Sequence, residues 1–156
     1  MINIRRAEEI DIPRVKDLLL QVLNVHYEGR KDIFKKGTTK YTDAELIDIF
    51  KDDSRPVFVA VDDNMVVGYA FCIFEEITNS NNMHDMKTLY IDDLCVDESV
   101  RHQHIGTRLY EHVLDFAKCN GCYRVTLNVW SFNDKAISFY NKCGMEPLKV
   151  TMEKVL

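Results

Sequence analysis

No apolar run in this chain approaches the ~20 residues that a membrane-spanning helix needs. That argues against a helical membrane protein. The opening residues, Met1 to Arg6, also lack the apolar core of an export signal, so a cytoplasmic location is expected. Basic residues are in deficit: 20 Lys and Arg stand against 25 Asp and Glu, a formal net charge of −5. A nucleic-acid partner calls for a basic face, so none is expected. A cationic partner is compatible with this balance. Metal ligands are missing too. The five cysteines, Cys72, Cys95, Cys119, Cys122 and Cys143, are odd in number and read as reduced thiols. Cys119 and Cys122 form a C-x-x-C, yet no second ligand pair stands at zinc spacing. A redox pair opens a helix after a strand, whereas this one ends a helix. No metal site is expected; Gly121 reads as the helix stop and Cys122 as a small buried residue. Repeats, linkers and low-complexity segments are absent. The 156 residues suit one domain over residues 1–156, with one sizeable core.

What is present alternates between strand and helix patterns. Ile2 to Arg6 reads as a short strand. Asp11 is placed to cap a helix with Pro13 in its first turn, running to about His26. Thr42-Asp43-Ala44-Glu45 has the form of a capping box opening a second helix. Pro56 to Val61 and Met65 to Ile77 read as a hairpin about Asp62, Asp63 and Asn64. Leu89 to Val96 is a strand, followed by a helix with Ile105, Leu109, Val113, Phe116 and Ala117 on one face. Tyr123 to Val129 is a strand, and Asn133 caps a helix that stops at Gly144. Val150 to Val155 reads as a final strand. Hairpins mixed with strand–helix units describe an α+β sheet with helices on its faces, not a doubly wound fold.

The stretch from Leu89 to Tyr110 carries the chemistry. A strand leads into the basic loop Arg101-His102-Gln103-His104-Ile105-Gly106, which opens a helix. Converging backbone N–H groups, the helix dipole and a guanidinium make an anion site there. A phosphorylated cofactor is the expected guest. Val96 to Leu109 resembles the acetyl-CoA loop of the GNAT N-acetyltransferase superfamily, (Arg or Gln)-x-x-Gly-x-(Gly or Ala) after a strand. Asn128 to Met145 resembles the same family's second signature: strand, Asn-x-x-Ala helix, aromatic-Tyr and Gly ending. The two together span residues 89–148, and the flanking elements fall in the family's order.

The resemblance implies a central, mostly antiparallel mixed sheet of about six to seven strands with about four helices. It implies acetyl-CoA as co-substrate. The backbone of Leu94, Cys95 and Val96 would hold the pantetheine arm. Arg101, His102, Gln103, His104, Ile105, Gly106 and Thr107 would cradle the diphosphate, and Asn133 would touch the pantetheine or its phosphate. One departure is His104, where the family has glycine. His tolerates positive φ better than most residues, and it either contacts the diphosphate or points to solvent.

Acetyl transfer to an amine needs a proton acceptor, an oxyanion donor and help for the departing thiolate. The resemblance makes Tyr140 the general acid; hydrogen bonding to the sulfur or plain packing are the other readings. Tyr90 to Val96 is similar to the Tyr-Leu-Glu-Asp-(aliphatic)-x-Val of spermidine/spermine acetyltransferases. That similarity implies that Asp92 takes the amine proton through water; binding the cation, capping the strand, or pairing with a Lys or Arg are its alternatives. Regular alternation turns Asp92 and Asp93 to opposite faces, leaving Asp93 a structural hydrogen bond. Cys95 alternates away from Leu94 and Val96 and is not expected to be a nucleophile. His26, Tyr27, Glu75 and Asp92 would wall a site for a cation with an alkyl chain. Acceptors in contention are a small polyamine or diamine, a polypeptide N-terminus or lysine, and an aminoglycoside-type amine. The acidic pair leans to the first. A non-catalytic acyl-CoA-binding sensor is the rival class. Homodimers are common in the family, although the sequence marks no interface.

Overall fold

The computed structural model describes residues 1–100 and 103–156. Among these, the chain runs β1 (Ile2–Arg6), α1 (Ile12–Gly29), α2 (Asp43–Phe50), β2 (Val57–Asp62), β3 (Met65–Ile77), β4 (Met86–Val96), α3 (Ile105–Cys119), β5 (Arg124–Leu127) and α4 (Asp134–Lys142). The strands form one sheet in the order β1-β2-β3-β4-β5. The first three pairings are antiparallel, and β4 with β5 is parallel. The mixed α/β architecture is as expected, with five strands among the described residues instead of six or seven. The shortfall lies at the C-terminus. Val150 to Val155 has the alternation of a strand but pairs with none and is exposed throughout.

Local chemistry explains the boundaries. Asp63 and Asn64 take φ of 45° and 66°, the left-handed pair that a two-residue hairpin requires. Thr42 Oγ1 accepts from Glu45 N at 3.2 Å while Glu45 Oε1 accepts from Thr42 N at 3.1 Å, closing the capping box. Asn133 Oδ1 accepts from Ala136 N at 3.2 Å and starts α4. Asp11 departs from expectation. Its side chain makes no cap bond to α1. The Arg5 fork takes both its oxygens, at 2.7 and 2.9 Å, and Glu8 N donates at 2.8 Å.

The sheet separates two apolar clusters. α1 and α2 cover one face, where Leu18, Leu19, Leu46, Val57, Val59, Tyr69, Phe71 and Cys95 are buried. α3 covers the other, over Phe58, Ala60, Ala70, Leu89, Ile91, Leu109 and Val113. α4 adds Phe139 at the edge of the second cluster. A Cβ on Gly106 would lie 3.3 Å from Phe139 Cζ, so glycine there lets the start of α3 meet α4. No helix among the described residues is long and apolar enough to cross a membrane.

Candidate active site

Two irregularities in β4 build the site. Its ladder with β5 runs from Thr88↔Arg124 to Ile91↔Leu127, where β5 ends. β4 itself continues to Val96, so the parallel strands part at its C-terminal half. On the other side, Phe71 pairs with Asp93 and Cys72 with Ile91, which leaves Asp92 as a bulge. A bulge bends a strand and re-aims a side chain.

The bulge corrects the expected placement of the two carboxylates. Asp92 and Asp93 do not go to opposite faces. Asp93 Oδ2 accepts from Tyr69 OH at 2.8 Å, and Asp92 Oδ2 accepts from Tyr41 OH at 2.6 Å. Both phenols belong to one aromatic group: Tyr41 stacks on Phe71 at 5.5 Å and Tyr69 meets Phe71 edge-on at 5.0 Å. Asp92 Oδ2 also accepts from Lys40 Nζ at 2.9 Å. Burial pushes the Asp93 carboxyl up to about 6; Asp92 adds to the rise, and the Tyr69 hydrogen bond and Lys40 oppose it. Asp93 is therefore a carboxyl that changes charge near neutrality, whereas an ordinary aspartate has long since ionised.

Tyr140 closes this space from α4. Burial raises its phenol well above the ordinary value, with Asp93 the next cause, then Cys143 and Cys95. A phenol so raised stays neutral and serves as a hydrogen-bond donor. Cys95 turns its Sγ towards Leu18 O at 3.8 Å, into the α1 side of the core, the alternation expected of it. Tyr90 OH accepts from Asn128 Nδ2 at 3.2 Å, just where β5 ends.

The turn after β4 is clamped to α1. Arg14 pairs with the buried Asp97 and donates from Nε to Val66 O at 3.0 Å. Asp97 Oδ1 accepts from Ser99 N and Oγ at 2.9 and 3.0 Å, and Gln21 Oε1 accepts from Glu98 N at 3.2 Å. His104 follows as the N-cap of α3 at φ 60° and ψ 21°. It takes the left-handed conformation that a glycine would take at this position. Gln103, Ile105, Gly106 and Thr107 stand at the start of the same helix, whose first N–H groups suit a diphosphate. Arg101 and His102 lie outside the described residues. The parted edge at Leu94–Val96 and this helix start, both at the C-terminal end of β4, fit the two ends of a pantetheine diphosphate. Arg108, one turn into α3, donates to Ile2 O at 2.9 Å and ties the helix to β1.

The four residues expected to wall the acceptor site do not share one setting. His26 joins Phe34, Trp130 and Phe132 in an aromatic group, with centroids 5.1, 6.2 and 6.4 Å away. Burial first, and Lys40 second, lower its pKa and favour neutral imidazole. A Cβ on Gly29 would overlap the Phe132 ring, so the bare end of α1 admits that group. Tyr27 has a basic setting: Lys31 and Lys36 lie over its ring at 5.6 and 5.8 Å. Glu75 is exposed opposite Thr88, and its charge acts on Tyr90. Sequence reasoning missed Lys40, Tyr41 and Tyr69. Lys40 and Tyr41 sit in a stretch without periodicity, and Tyr69 reads as an ordinary strand residue.

Comparison with known proteins adds to this geometry. Residues 23–145 match the family model described as the acetyltransferase (GNAT) family. A 68-residue stretch is 37% identical to glucosamine 6-phosphate N-acetyltransferase of Arabidopsis thaliana, covering 44% of each chain. Another, of 85 residues, is 31% identical to thialysine N-epsilon-acetyltransferase of Mus musculus, covering 54% of this chain and 47% of that one. The chain thus spans about half the length of the curated relatives it matches. A crystal structure of a mutant BH1408 protein from Bacillus halodurans matches with a TM-score of 0.95 at 32% identity, over 99% of both chains.

Proposed function

Because the chain belongs to the acetyltransferase (GNAT) family, we propose that it is an acetyl-CoA-dependent N-acetyltransferase of primary amines. Residues 1–156 act as one catalytic domain, and five cysteines with no disulfide among them suit a cytoplasmic location. The observation that carries the reading is the parted end of β4, where Asp92 and Asp93 flank the bulge and the Asp93 charge acts on Tyr140.

Acetyl-CoA supplies the activated acyl group. The N–H groups opening α3, from His104 to Thr107, hold its diphosphate, and the Leu94–Val96 backbone lies along its pantetheine. Asn133 orients the start of α4 and touches the same arm. Asp92 holds the incoming ammonium. Asp93, with a carboxyl pushed up to about 6, is the better-matched proton acceptor, since a base works best with a pKa near the working pH. Tyr140 donates a hydrogen bond to the departing sulfur. Full proton transfer from a phenol of raised pKa is uphill, which favours the hydrogen bond over the general-acid role.

Two adjacent carboxylates beside aromatic walls support a small cationic amine as acceptor, such as a diamine or an amino acid with a side-chain amine. Thiol release with a panel of acceptors tests this: a diamine, thialysine, glucosamine 6-phosphate and a peptide N-terminus. The diamine or thialysine should give the highest kcat/KM. Coenzyme binding without turnover of any amine would leave only an acyl-CoA-binding module.

The partner we propose is a second copy. Leu148, Val150, Met152 and Val155 are 61%, 77%, 85% and 72% exposed on an extended arm tied to α1 by the Arg30–Glu153 pair. An exposed strand pattern that pairs with no strand of its own sheet offers an edge to the same segment of a second copy. Val150→Glu with Met152→Glu should yield monomers by light scattering; an unchanged mass would remove the arm from any interface.

A further inference from the structure

The carboxylate assigned to the incoming amine already holds one. Lys40 Nζ lies 2.9 Å from Asp92 Oδ2. The Lys40 side chain is 46% exposed and that of Asp92 15%. Lys40 therefore reaches inward from the surface to a group that is mostly enclosed. It is a primary amine, the same functional group as the proposed acceptor. It stands at the bulge, one residue beyond the last rung between β4 and β5. The segment that delivers it, between α1 and α2, has no helix or strand of its own over residues 30–42. Within it Gly37 holds φ 76° in open space, so nothing packed resists a shift there. Tyr41, next in sequence, shares the same carboxylate oxygen and is braced by Phe71. The backbone beside Lys40 is thus fixed, and the pair with Asp92 holds its amine at the bulge.

We propose that Lys40 is a self-acetylation site, its amine occupying the acceptor's place on Asp92 until it is modified or displaced. This inference rests on the acetyltransferase reading above. The step balances without an oxidant or reductant. Nζ gives one proton to a carboxylate or to water, and its lone pair forms a bond to the carbonyl carbon of the acetyl thioester. The C–S bond breaks, sulfur leaves as thiolate, and it takes up the second proton, which the nitrogen sheds as the amide forms. The product is a neutral amide, which no longer pairs with Asp92. Modification would therefore open the site to an external cation.

The test uses the full chain and acetyl-CoA with no added amine, read by intact mass and peptide mapping. One acetyl group should appear at Lys40 at least about tenfold faster than at any other lysine, because the amine is held in place. The rate should not depend on protein concentration, and the preference should vanish in urea-unfolded chain. Lys40→Arg should abolish the label, while calorimetry shows coenzyme binding retained. Labelling spread evenly over lysines, or equal preference in the unfolded chain, overturns the proposal. Turnover of an added diamine with Lys40 unlabelled overturns it and leaves the acetyltransferase reading standing. Neither label nor thiol release with any amine overturns both.

Discussion

Replacing His104 with glycine asks whether the anion cradle is built on a backbone conformation or on an imidazole. His104 holds φ 60° and ψ 21°, and its side chain makes no cap bond to α3. A left-handed L-residue costs roughly 1–2 kcal/mol, and His104→Gly removes that strain. Glycine in turn loses about 0.5–1 kcal/mol more on folding, through backbone entropy. The balance favours the variant by about 0–1.5 kcal/mol, or a Tm increase of up to roughly 6 °C for a chain of this size. Coenzyme affinity, measured by titration calorimetry, should hold or improve because the N–H groups of α3 stay where they are. A charge-assisted imidazole–phosphate bond would contribute roughly 1.5–3 kcal/mol. Its loss would weaken binding more than about tenfold. The outcomes therefore separate cleanly. A Tm below that of the parent refutes the strain argument, and a Kd raised beyond about tenfold refutes the backbone-only cradle.

Three further outcomes follow from the same geometry. Folding raises the Asp93 carboxyl from 3.8 to about 6, so its contribution to stability is complete below the ordinary value and lost as pH rises through about 6. Asp93→Asn should then stabilise the chain against urea by up to about 3 kcal/mol above pH ~6 and little near pH ~4, while abolishing the rise of kcat through about 6; equal stabilisation at both pH values would be fatal to this assignment. Tyr140→Phe should lower kcat by about a hundredfold with little change in KM for acetyl-CoA, as expected for a donor used in the transition state; parental kcat would remove Tyr140 from the chemistry. Gly29→Ala gains up to ~1 kcal/mol of helix propensity but forces a methyl into the Phe132 ring, and overpacking costs typically ~1–3 kcal/mol. The net effect should be a lower Tm and altered fluorescence of the single tryptophan, Trp130, stacked on Phe132 at 5.9 Å; a more stable protein with unchanged emission contradicts the packing argument.

Features set by short-range rules were legible from residues alone. The Asp63-Asn64 hairpin, the Thr42–Glu45 box and the Asn133 cap each need only neighbours within four positions. The strand before His104 and the helix after it were equally local, whereas its left-handed backbone is what the resemblance, with glycine at that position, implied. Other features depend on who sits opposite. Val150 to Val155 carries a strand's alternation, but a strand forms only against a partner ladder, and period alone does not supply one. Asp11 has a cap's chemistry, yet the distant-facing Arg5 fork captured its carboxylate. The site suffered most. Alternation assigns faces on the assumption of unbroken pairing, and the register shift at Phe71/Cys72 breaks it. Lys40 and Tyr41 reach Asp92 across 52 and 51 positions of sequence, and no spacing rule extends so far.

The bulge in β4 also has an arithmetic of its own. Leu89 and Ile91 belong to the α3-side cluster, and so do Leu94 and Val96, while Cys95 belongs to the other. Leave out Asp92 and the remaining residues fall into strict alternation: Ile91, Leu94 and Val96 to one side, Asp93 and Cys95 to the other. Asp92 is thus a supernumerary position, threaded into a strand whose packing is complete without it. Architecture and chemistry are written at different residues here. A chain lacking Asp92 keeps every side chain of β4 on its present face and gives up only the carboxylate that Lys40 and Tyr41 share. Such a one-residue deletion separates folding from acceptor binding in a way no point substitution on a regularly paired strand could.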